Sequence, residues 1–169
     1  MSLPPHLQRL LACSAMTIAM AAVAPLEGRL PHAYLDLSGV PTICYGHTKH
    51  VKLGQTLSKA ECDALLAHDL GEALSVVDST VTQPLPEARR AALASFVFNA
   101  GTTAFKESRL LKKLNAGQTQ AACDELMRWV YAGRPPKHPV AGLIRRRAIE
   151  RQLCLAPVPD SPSHPETSL

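Results

Sequence analysis

The sequence has no Cys-x-x-Cys pair, and its seven histidines form no metal-type cluster with its five cysteines. A zinc site is therefore not expected. The nine glycines and fourteen prolines follow no period, which excludes collagen-like and low-complexity classes. The formal charge is only +4, without the dense basic stripe that is typical of nucleic-acid binders. We expect no nucleic-acid partner, whereas an anionic polymer such as cell wall would suit a mildly basic protein.

The chain is long enough and apolar enough for one compact domain. It has 169 residues, of which 46% are hydrophobic and 19% charged. This length leaves little room for a second domain, and the hydrophobic share excludes wholesale disorder.

An uncharged run extends from Leu10 to Leu26, between Arg9 and Glu27. Three interpretations fit it. A cleaved signal peptide would use Ala22-Val23-Ala24 as its cleavage site. An uncleaved membrane anchor would have the same alanine-rich composition, and Arg9 would favour export of the rest of the chain. The third interpretation is a buried core helix, which an apolar run of this length often is.

The pattern after this run predicts a small hairpin followed by helices. Two strands are expected at His32–Leu37 and Thr42–Gly46, joined by a turn at Ser38-Gly39, with a third strand at Val51–Leu53. Helices are then predicted from the capping box Ser58–Glu61 to about Val77, from Pro86 to Gly101, and at about 106–114, 119–130 and 140–155. The segment Gly133–Pro139 is expected to be a surface loop. This order indicates an α+β fold with a cleft between a hairpin lobe and a helical lobe.

Two carboxylates and a hydroxyl lie in or just before the predicted hairpin. Glu27 lies where the apolar run ends, Asp36 lies beside the turn, and Thr42 opens the second strand. Glycoside hydrolysis uses such a pair of carboxylates, one as a proton donor and one to handle water or the developing cation. A proton donor needs a raised pKa, which an apolar neighbourhood supplies, so Glu27 is the better candidate for the acid. The hydroxyl of Thr42 can orient a water.

The segment around these residues resembles the active-site signature of phage-type lysozymes, the endolysins of the T-even phage lysozyme superfamily. Those enzymes carry an Asp nine residues and a Thr fifteen residues after the Glu, and this chain keeps both intervals. The resemblance continues in order from about residue 26 to 155. It includes Glu27-Gly28, Ala33–Asp36, Thr42–Thr48, Ser95–Gly101, Leu111–Gly117, Trp129–Gly133 and Gly142–Arg147.

This resemblance implies a lysozyme-like fold and a muramidase that hydrolyses the β-1,4 bond between N-acetylmuramic acid and N-acetylglucosamine. Glu27 would donate the proton, while Asp36 and Thr42 would position a water on the opposite face of the sugar. For an inverting enzyme of this kind, the two carboxyl groups are expected roughly 6.5–9.5 Å apart. No metal and no organic cofactor are implied.

Further residues are candidates for the substrate cleft or for its support. Phe98, Asn99 and Gly101 would line or support the cleft, and Tyr34 is another candidate. For Tyr34, packing competes with a role in the cleft. For the other three residues, core packing and a helix C-cap compete with contact to the sugar. The run Arg145–Arg147 is interpreted as a solvated face.

Four of the five cysteines fall into two natural pairs, Cys44 with Cys62 and Cys123 with Cys154, although other pairings are open. Cys13 is left over inside the apolar run. It is either a small buried hydrophobe or a regulatory thiol that exchanges with a disulfide.

Some related endolysins carry an N-terminal signal-anchor-release segment, and the weak apolar run fits that description. Cleavage after Ala24 would leave Glu27 as the third residue, without a supporting helix, so an uncleaved segment is favoured. The predicted organisation is an anchor over 1–26, a catalytic domain over 27–155 and a disordered proline-rich tail over 156–169.

We expect the protein to be a monomer, and the same resemblance implies its partners and its location. Residues 10–26 would enter the inner membrane through the Sec translocon, and the enzyme would face the periplasm and later be released into it to meet peptidoglycan. It would act together with a holin. The alternatives are a cytoplasmic endolysin freed by a holin, a peptidoglycan-binding protein without turnover, and a lytic transglycosylase.

Overall fold

The computed structural model describes residues 3–36, 38–132 and 138–157. The fold is α+β, as predicted, with a small hairpin and a larger group of helices. In chain order the elements are α1 (Pro5–Gln8), α2 (Ala15–Glu27), β1 (Leu30–Leu35), β2 (Pro41–Cys44), α3 (Lys59–Thr80), α4 (Glu87–Ala100), α5 (Thr102–Glu107), α6 (Arg109–Asn115), α7 (Thr119–Glu125), β3 (Tyr131–Ala132), β4 (His138–Pro139) and α8 (Ala141–Leu155).

The hairpin pairs β1 with β2 antiparallel, and both strands begin and end slightly earlier than predicted. Tyr34 is opposite Thr42, and Leu35 is opposite Pro41. The prediction of a third strand at Val51–Leu53 is wrong. The chain turns at Gly54, and the following residues 55–57 pair with β1 through two backbone hydrogen bonds of 2.9 Å.

Helix α3 begins where its sequence signal placed it. Ser58 accepts from the amide of Glu61, and the Glu61 carboxylate accepts from the amide of Ser58, so the predicted capping box is present. The buried face of α3 lies at helical spacing and consists of Cys62, Leu66, Leu70, Ala73, Leu74 and Val77. Through this face α3 packs against α2 and α4.

Helix α4 lies at the centre of the core, against α2, α3 and α8. It is buried on nearly all sides because most of its residues are small or apolar. It ends at Gly101, whose φ of +91° favours glycine and stops the helix as predicted.

The apolar run forms a core helix in this structure. Helix α2 buries Ile18, Ala19, Ala22 and Val23 against the other helices. The run's first residues, 10–14, precede the helix in a set of turns. Within the described part of the chain, no helix combines the length and apolar character needed to span a bilayer.

The last third of the chain differs from prediction in detail. The predicted helix at 106–114 is divided at Ser108, whose hydroxyl caps α6 by accepting from the amide of Leu111 at 3.0 Å. Helix α7 ends at Glu125 and continues as one 3₁₀ turn, Leu126–Arg128. Of the predicted loop, residues 138–139 form β4, whereas 133–137 lie outside the described residues, as does most of the predicted tail, 158–169.

Candidate active site

Glu27 is the last residue of α2, and the chain leaves the helix at Gly28. Gly28 has a φ of +69°, which a residue with a side chain rarely adopts, and its amide donates to the carbonyl of Ala24 at 3.3 Å. The Glu27 side chain is 23% exposed. Its carboxylate therefore stands at the end of a buried helix, with one side open to solvent.

The charged partner of Glu27 is Arg146 of α8, whose guanidinium donates to Oε1. Arg146 is 4% exposed, so the pair is partly desolvated. The sequence suggested an apolar neighbourhood for this carboxyl group. The hydrogen-bond partner found at the carboxyl group is instead the guanidinium of Arg146.

Arg146 belongs to a buried chain of polar groups. Its Nη1 lies 3.4 Å from the hydroxyl oxygen of Ser95, and that hydroxyl donates to Oε1 of Glu150 at 2.7 Å. Glu150 is 1% exposed. Burial raises the pKa of Glu150, whereas the two neighbouring guanidinium groups and the Ser95 hydroxyl act in the opposite direction.

Arg147 is the second buried cation of this cluster, at 1% exposure. Its guanidinium pairs with Glu150, donates to Oδ1 of Asn99, and donates to the carbonyl of Trp129 at 3.2 Å. It also lies 4.9 Å from the centroid of the Phe96 ring. Two arginines and two glutamates thus balance their charges inside the helical lobe.

The expectation of a solvated face at Arg145–Arg147 is therefore wrong for two of the three arginines, although Arg145 is exposed. A signal was present in the spacing. Arg146, Arg147 and Glu150 precede Cys154 by eight, seven and four residues, which puts them on the helical face of that half-cystine. A helix face held by a disulfide points inward, so its charged residues had to be buried and paired.

A cleft of about 510 Å³ opens beside Glu27. Of the predicted cleft residues, Phe98, Asn99 and Gly101 line it. Asn99 is also the residue held by Arg147, so the buried charge cluster supports the cleft wall. The remaining lining residues come from the segment after β2, from α3 and from α4–α5: Tyr45, Gly46, His47, Thr48, Lys49, Asp69, Glu72, Ala73, Val76, Val97 and Thr102.

Asp36 and Thr42 lie in the hairpin, and the side chains of both form hydrogen bonds with the backbone of Val40 in its turn. Oδ1 of Asp36 accepts from the amide of Val40 at 2.9 Å and from that of Ser38 at 2.8 Å. The hydroxyl of Thr42 donates to the carbonyl of Val40 at 3.0 Å. Among the described residues, neither of them lines the 510 Å³ cleft, and nor does Tyr34, which is opposite Thr42 in the strand pair.

One group of potential metal ligands occurs among the described residues. Atoms of His68, Asp69 and Glu72 lie within 4.8 Å of one another on α3. Both carboxylates already have other partners, because Asp69 bonds to His47 at 2.8 Å and Glu72 bonds to Lys49 at 2.5 Å. We therefore interpret this group as an ion-pair network at the rim of the cleft.

The cysteines form the two pairs named from the sequence. Cys44 at the end of β2 is bonded to Cys62 of α3, and Cys123 of α7 is bonded to Cys154 of α8. The first bridge joins the hairpin to the helical lobe, and the second joins two helices within that lobe. Cys13 is a free, half-buried thiol.

The sequence matches that of a known family over most of its length. The family described as phage lysozyme matches residues 24–150. The chain belongs to the phage lysozyme family. The SAR-endolysin of Enterobacteria phage P21 is 40% identical over 164 residues, which cover 90% of this chain and 98% of the relative. The SAR-endolysin of Escherichia phage Mu is 45% identical over 117 residues, which cover 69% of this chain and 67% of the relative.

Solved structures agree with this assignment. The muramidase domain of SpmX from Asticaccaulis excentricus has a TM-score of 0.79 and 34% identity, over 82% of this chain and 95% of that one. A P22 lysozyme mutant has a TM-score of 0.72 and 31% identity, over 92% of this chain and 99% of the P22 chain. The fold is that of a lysozyme, and the chain is a glycoside hydrolase, a muramidase of the endolysin kind.

Proposed function

We propose that this endolysin cleaves the β-1,4 bond between N-acetylmuramic acid and N-acetylglucosamine with Glu27 as general acid and with Asp36 and Thr42 holding the attacking water. The observation that carries the proposal is the position of Glu27, which lines the cleft and has one charged partner. In this scheme Glu27 gives its proton to the leaving glycosidic oxygen while water attacks the opposite face of the sugar. The reaction then inverts the anomeric configuration.

Arg146 supports the acid role by holding the Glu27 carboxyl group in one place. After proton transfer Glu27 is a carboxylate, and the guanidinium stabilises that charge until a proton is taken up again. Arg146 is itself restrained by Ser95 and has little freedom because it is buried. The acid is thus oriented by a rigid group rather than by a mobile surface side chain.

The turn at Val40 supports the role of Asp36 and Thr42. The Asp36 carboxylate uses Oδ1 on two backbone amides, and Oδ2 makes no hydrogen bond within the described residues. An ionised carboxylate has acceptor capacity left for a water, and the Thr42 oxygen can accept a second hydrogen bond from it. Two backbone bonds to Val40 would keep both side chains in fixed relation while the water is deprotonated.

We further propose that the apolar run first tethers the enzyme to the inner membrane and that the enzyme is then released into the periplasm. The Sec translocon would insert residues 10–26, and the enzyme would act together with a holin. The similarity to the SAR-endolysins of phages P21 and Mu supports the tether and its release. The residues that would face lipid, such as Ile18 and Val23, are those that α2 buries against the domain, so one apolar face could serve both states.

The proposed catalytic roles can be tested by lysis of outer-membrane-permeabilised Gram-negative cells. We compare the wild type, Glu27→Gln, and Glu107→Gln as a matched control at an exposed helix end. The proposal expects lysis by the wild type and by Glu107→Gln, and a rate for Glu27→Gln at least ~10² lower, since a positioned general acid is worth about that much. Equal lysis by all three proteins would overturn the assignment of Glu27.

The tether can be tested by fractionation of cells that express the full chain. Intact protein in the membrane fraction before depolarisation of the membrane, and intact protein in the periplasm afterwards, would support release. A chain shortened by cleavage near Ala24 would contradict it.

A further inference from the structure

The first residue of helix α2 has a hydrogen-bond partner far away in the chain. The amide of Ala15 donates to Oε2 of Glu87 at 2.6 Å, across a separation of 72 residues. Ala15 is 1% exposed, so water cannot readily replace this acceptor. The hydroxyl oxygen of the N-cap Ser14 accepts from one backbone amide of α2, that of Thr17. The first turn of α2 has no acidic residue. Glu87 therefore supplies the negative charge that the start of the helix lacks.

Glu87 is itself held by a chain of charges. Its Oε1 accepts from Arg90 at 2.8 Å, and Arg90 also binds both carboxylate oxygens of Asp78, at 2.9 and 2.8 Å. Partial burial raises the pKa of Glu87, but the bonds from the Ala15 amide and Arg90 outweigh it, so the pKa lies below its ordinary value. These contacts join α2, α3 and α4 at one end of the helical lobe.

The other end of α2 carries Glu27, which is paired with Arg146. The helix is thus held by a polar contact at each end and by a smooth apolar face between them. That face consists largely of small side chains, including Ala19 and Ala22, which interlock weakly with neighbouring helices. Slippage by one helical turn would move the far end by about 5.4 Å, which is enough to remove a carboxylate from its site.

We propose that Glu87 is a positioning residue, which sets the register of α2 by accepting from the Ala15 amide and thereby places Glu27 in the cleft. The inference rests on the proposed function, since it matters most when the apolar segment leaves the bilayer and must seat correctly on the domain. Glu87 touches no substrate. It acts through the helix on the acid at the opposite end.

The variants for the test are chosen to remove one contact at a time. Glu87→Ala removes the acceptor, whereas Glu87→Gln keeps an oxygen for the amide. Glu61→Ala is the matched control, because Glu61 also accepts from the amide at a helix start but does so in α3. Ala15→Pro removes the donor instead. Proline is favoured at the first position of a helix, and the extended backbone of Ser14 is compatible with a following proline.

The readouts are kcat and KM on purified peptidoglycan fragments and amide hydrogen exchange in α2, with full-length soluble protein. Glu87→Ala should lower kcat about tenfold or more with KM within about twofold, because a displaced catalytic group loses rate before binding. Exchange in α2 should accelerate, whereas exchange in α3 should stay unchanged. Glu87→Gln should restore most of kcat. Ala15→Pro combined with Glu87→Ala should be no slower than the slower single variant, since both remove one contact.

Other results would overturn the inference. If Glu87→Ala and Glu61→Ala lower kcat equally, Glu87 has only a structural role. If the losses from Ala15→Pro and Glu87→Ala multiply, the two residues act separately. An active wild type with either of these results contradicts the inference alone. An inactive wild type contradicts the proposed function, and hydrogen exchange in α2 then still decides on the register.

Discussion

Glu27 and Arg146 are paired across 119 residues of sequence, and this pair connects the two ends of the family match. Glu27 is the last residue of α2, and Arg146 lies on α8. The candidate site is therefore completed only when both helices pack on α4. Under the proposed tether, this dependence would couple release of α2 from the membrane to the activity.

The buried pair of Arg147 and Glu150 gives a prediction about stability. Removing one partner, in Arg147→Met or Glu150→Leu, should cost about 3–5 kcal/mol because the other charge stays buried without a partner. The double variant should lose much less than the sum, since an apolar pair replaces both charges. Urea unfolding of the four proteins measures this coupling. Additive losses would show that the two charges do not stabilise each other.

Asp36→Asn should separate the chemistry of Asp36 from its part in the turn. The asparagine keeps Oδ1, so the bonds to the amides of Ser38 and Val40 remain and the melting temperature should stay close to that of the wild type. Activity should fall by about 10² or more, because a neutral amide cannot accept a proton from water. Turnover of soluble fragments, measured beside thermal unfolding, tests both statements. Full activity with an unchanged fold would remove Asp36 from the mechanism.

Glu125 predicts how stability changes with pH. The hydrogen bond from Lys113 lowers the pKa of Glu125 below its ordinary value of 4.5, and the charges of Arg109 and Arg128 act in the same direction. The folded state therefore gains stability from this carboxylate above about pH 4.5 and loses it as the pH falls through the lowered pKa. The Glu125→Gln variant should be less stable than the wild type at pH 7, and its free energy of unfolding should fall less on acidification. Parallel curves for both proteins would contradict this assignment.

The two disulfides should differ in their effect on activity. Replacing either pair by serine should cost roughly 3 kcal/mol, given the sequence separations of 18 and 31 residues. The pair Cys44–Cys62 holds the hairpin that carries Asp36 and Thr42. Its loss should therefore reduce kcat even at temperatures well below the melting temperature. The pair Cys123–Cys154 joins two helices away from the hairpin, so its loss should lower the melting temperature alone. Equal kcat losses would show that the first bridge has no special relation to the hairpin.

Local features of the fold were predictable because their causes are local. The capping box at Ser58 and the glycine stop at Gly101 each depend on a few neighbouring residues. The third strand was wrongly placed because the turn at Gly54 and the partner residues after it compete with a short apolar run. Strand pairing depends on such long-range choices, which periodicity does not contain.

The candidate site was predictable only in part, for a related reason. The spacing of Glu27, Asp36 and Thr42 is a local pattern, and it led to the same family that the comparisons give. The contacts that hold Glu27 come from Ser95, Arg146 and Glu150, which are brought together by helix packing. A run of arginines near the end of a chain resembles a solvated face until the direction of its helix is known.

The most direct test of the account is the analysis of products from purified peptidoglycan digested by the wild type and by Glu27→Gln. The account predicts reducing N-acetylmuramic acid ends with inverted anomeric configuration for the wild type, and almost none for the variant. Anhydromuramic ends would instead indicate a lytic transglycosylase, and equal product from both proteins would show that Glu27 is not the acid.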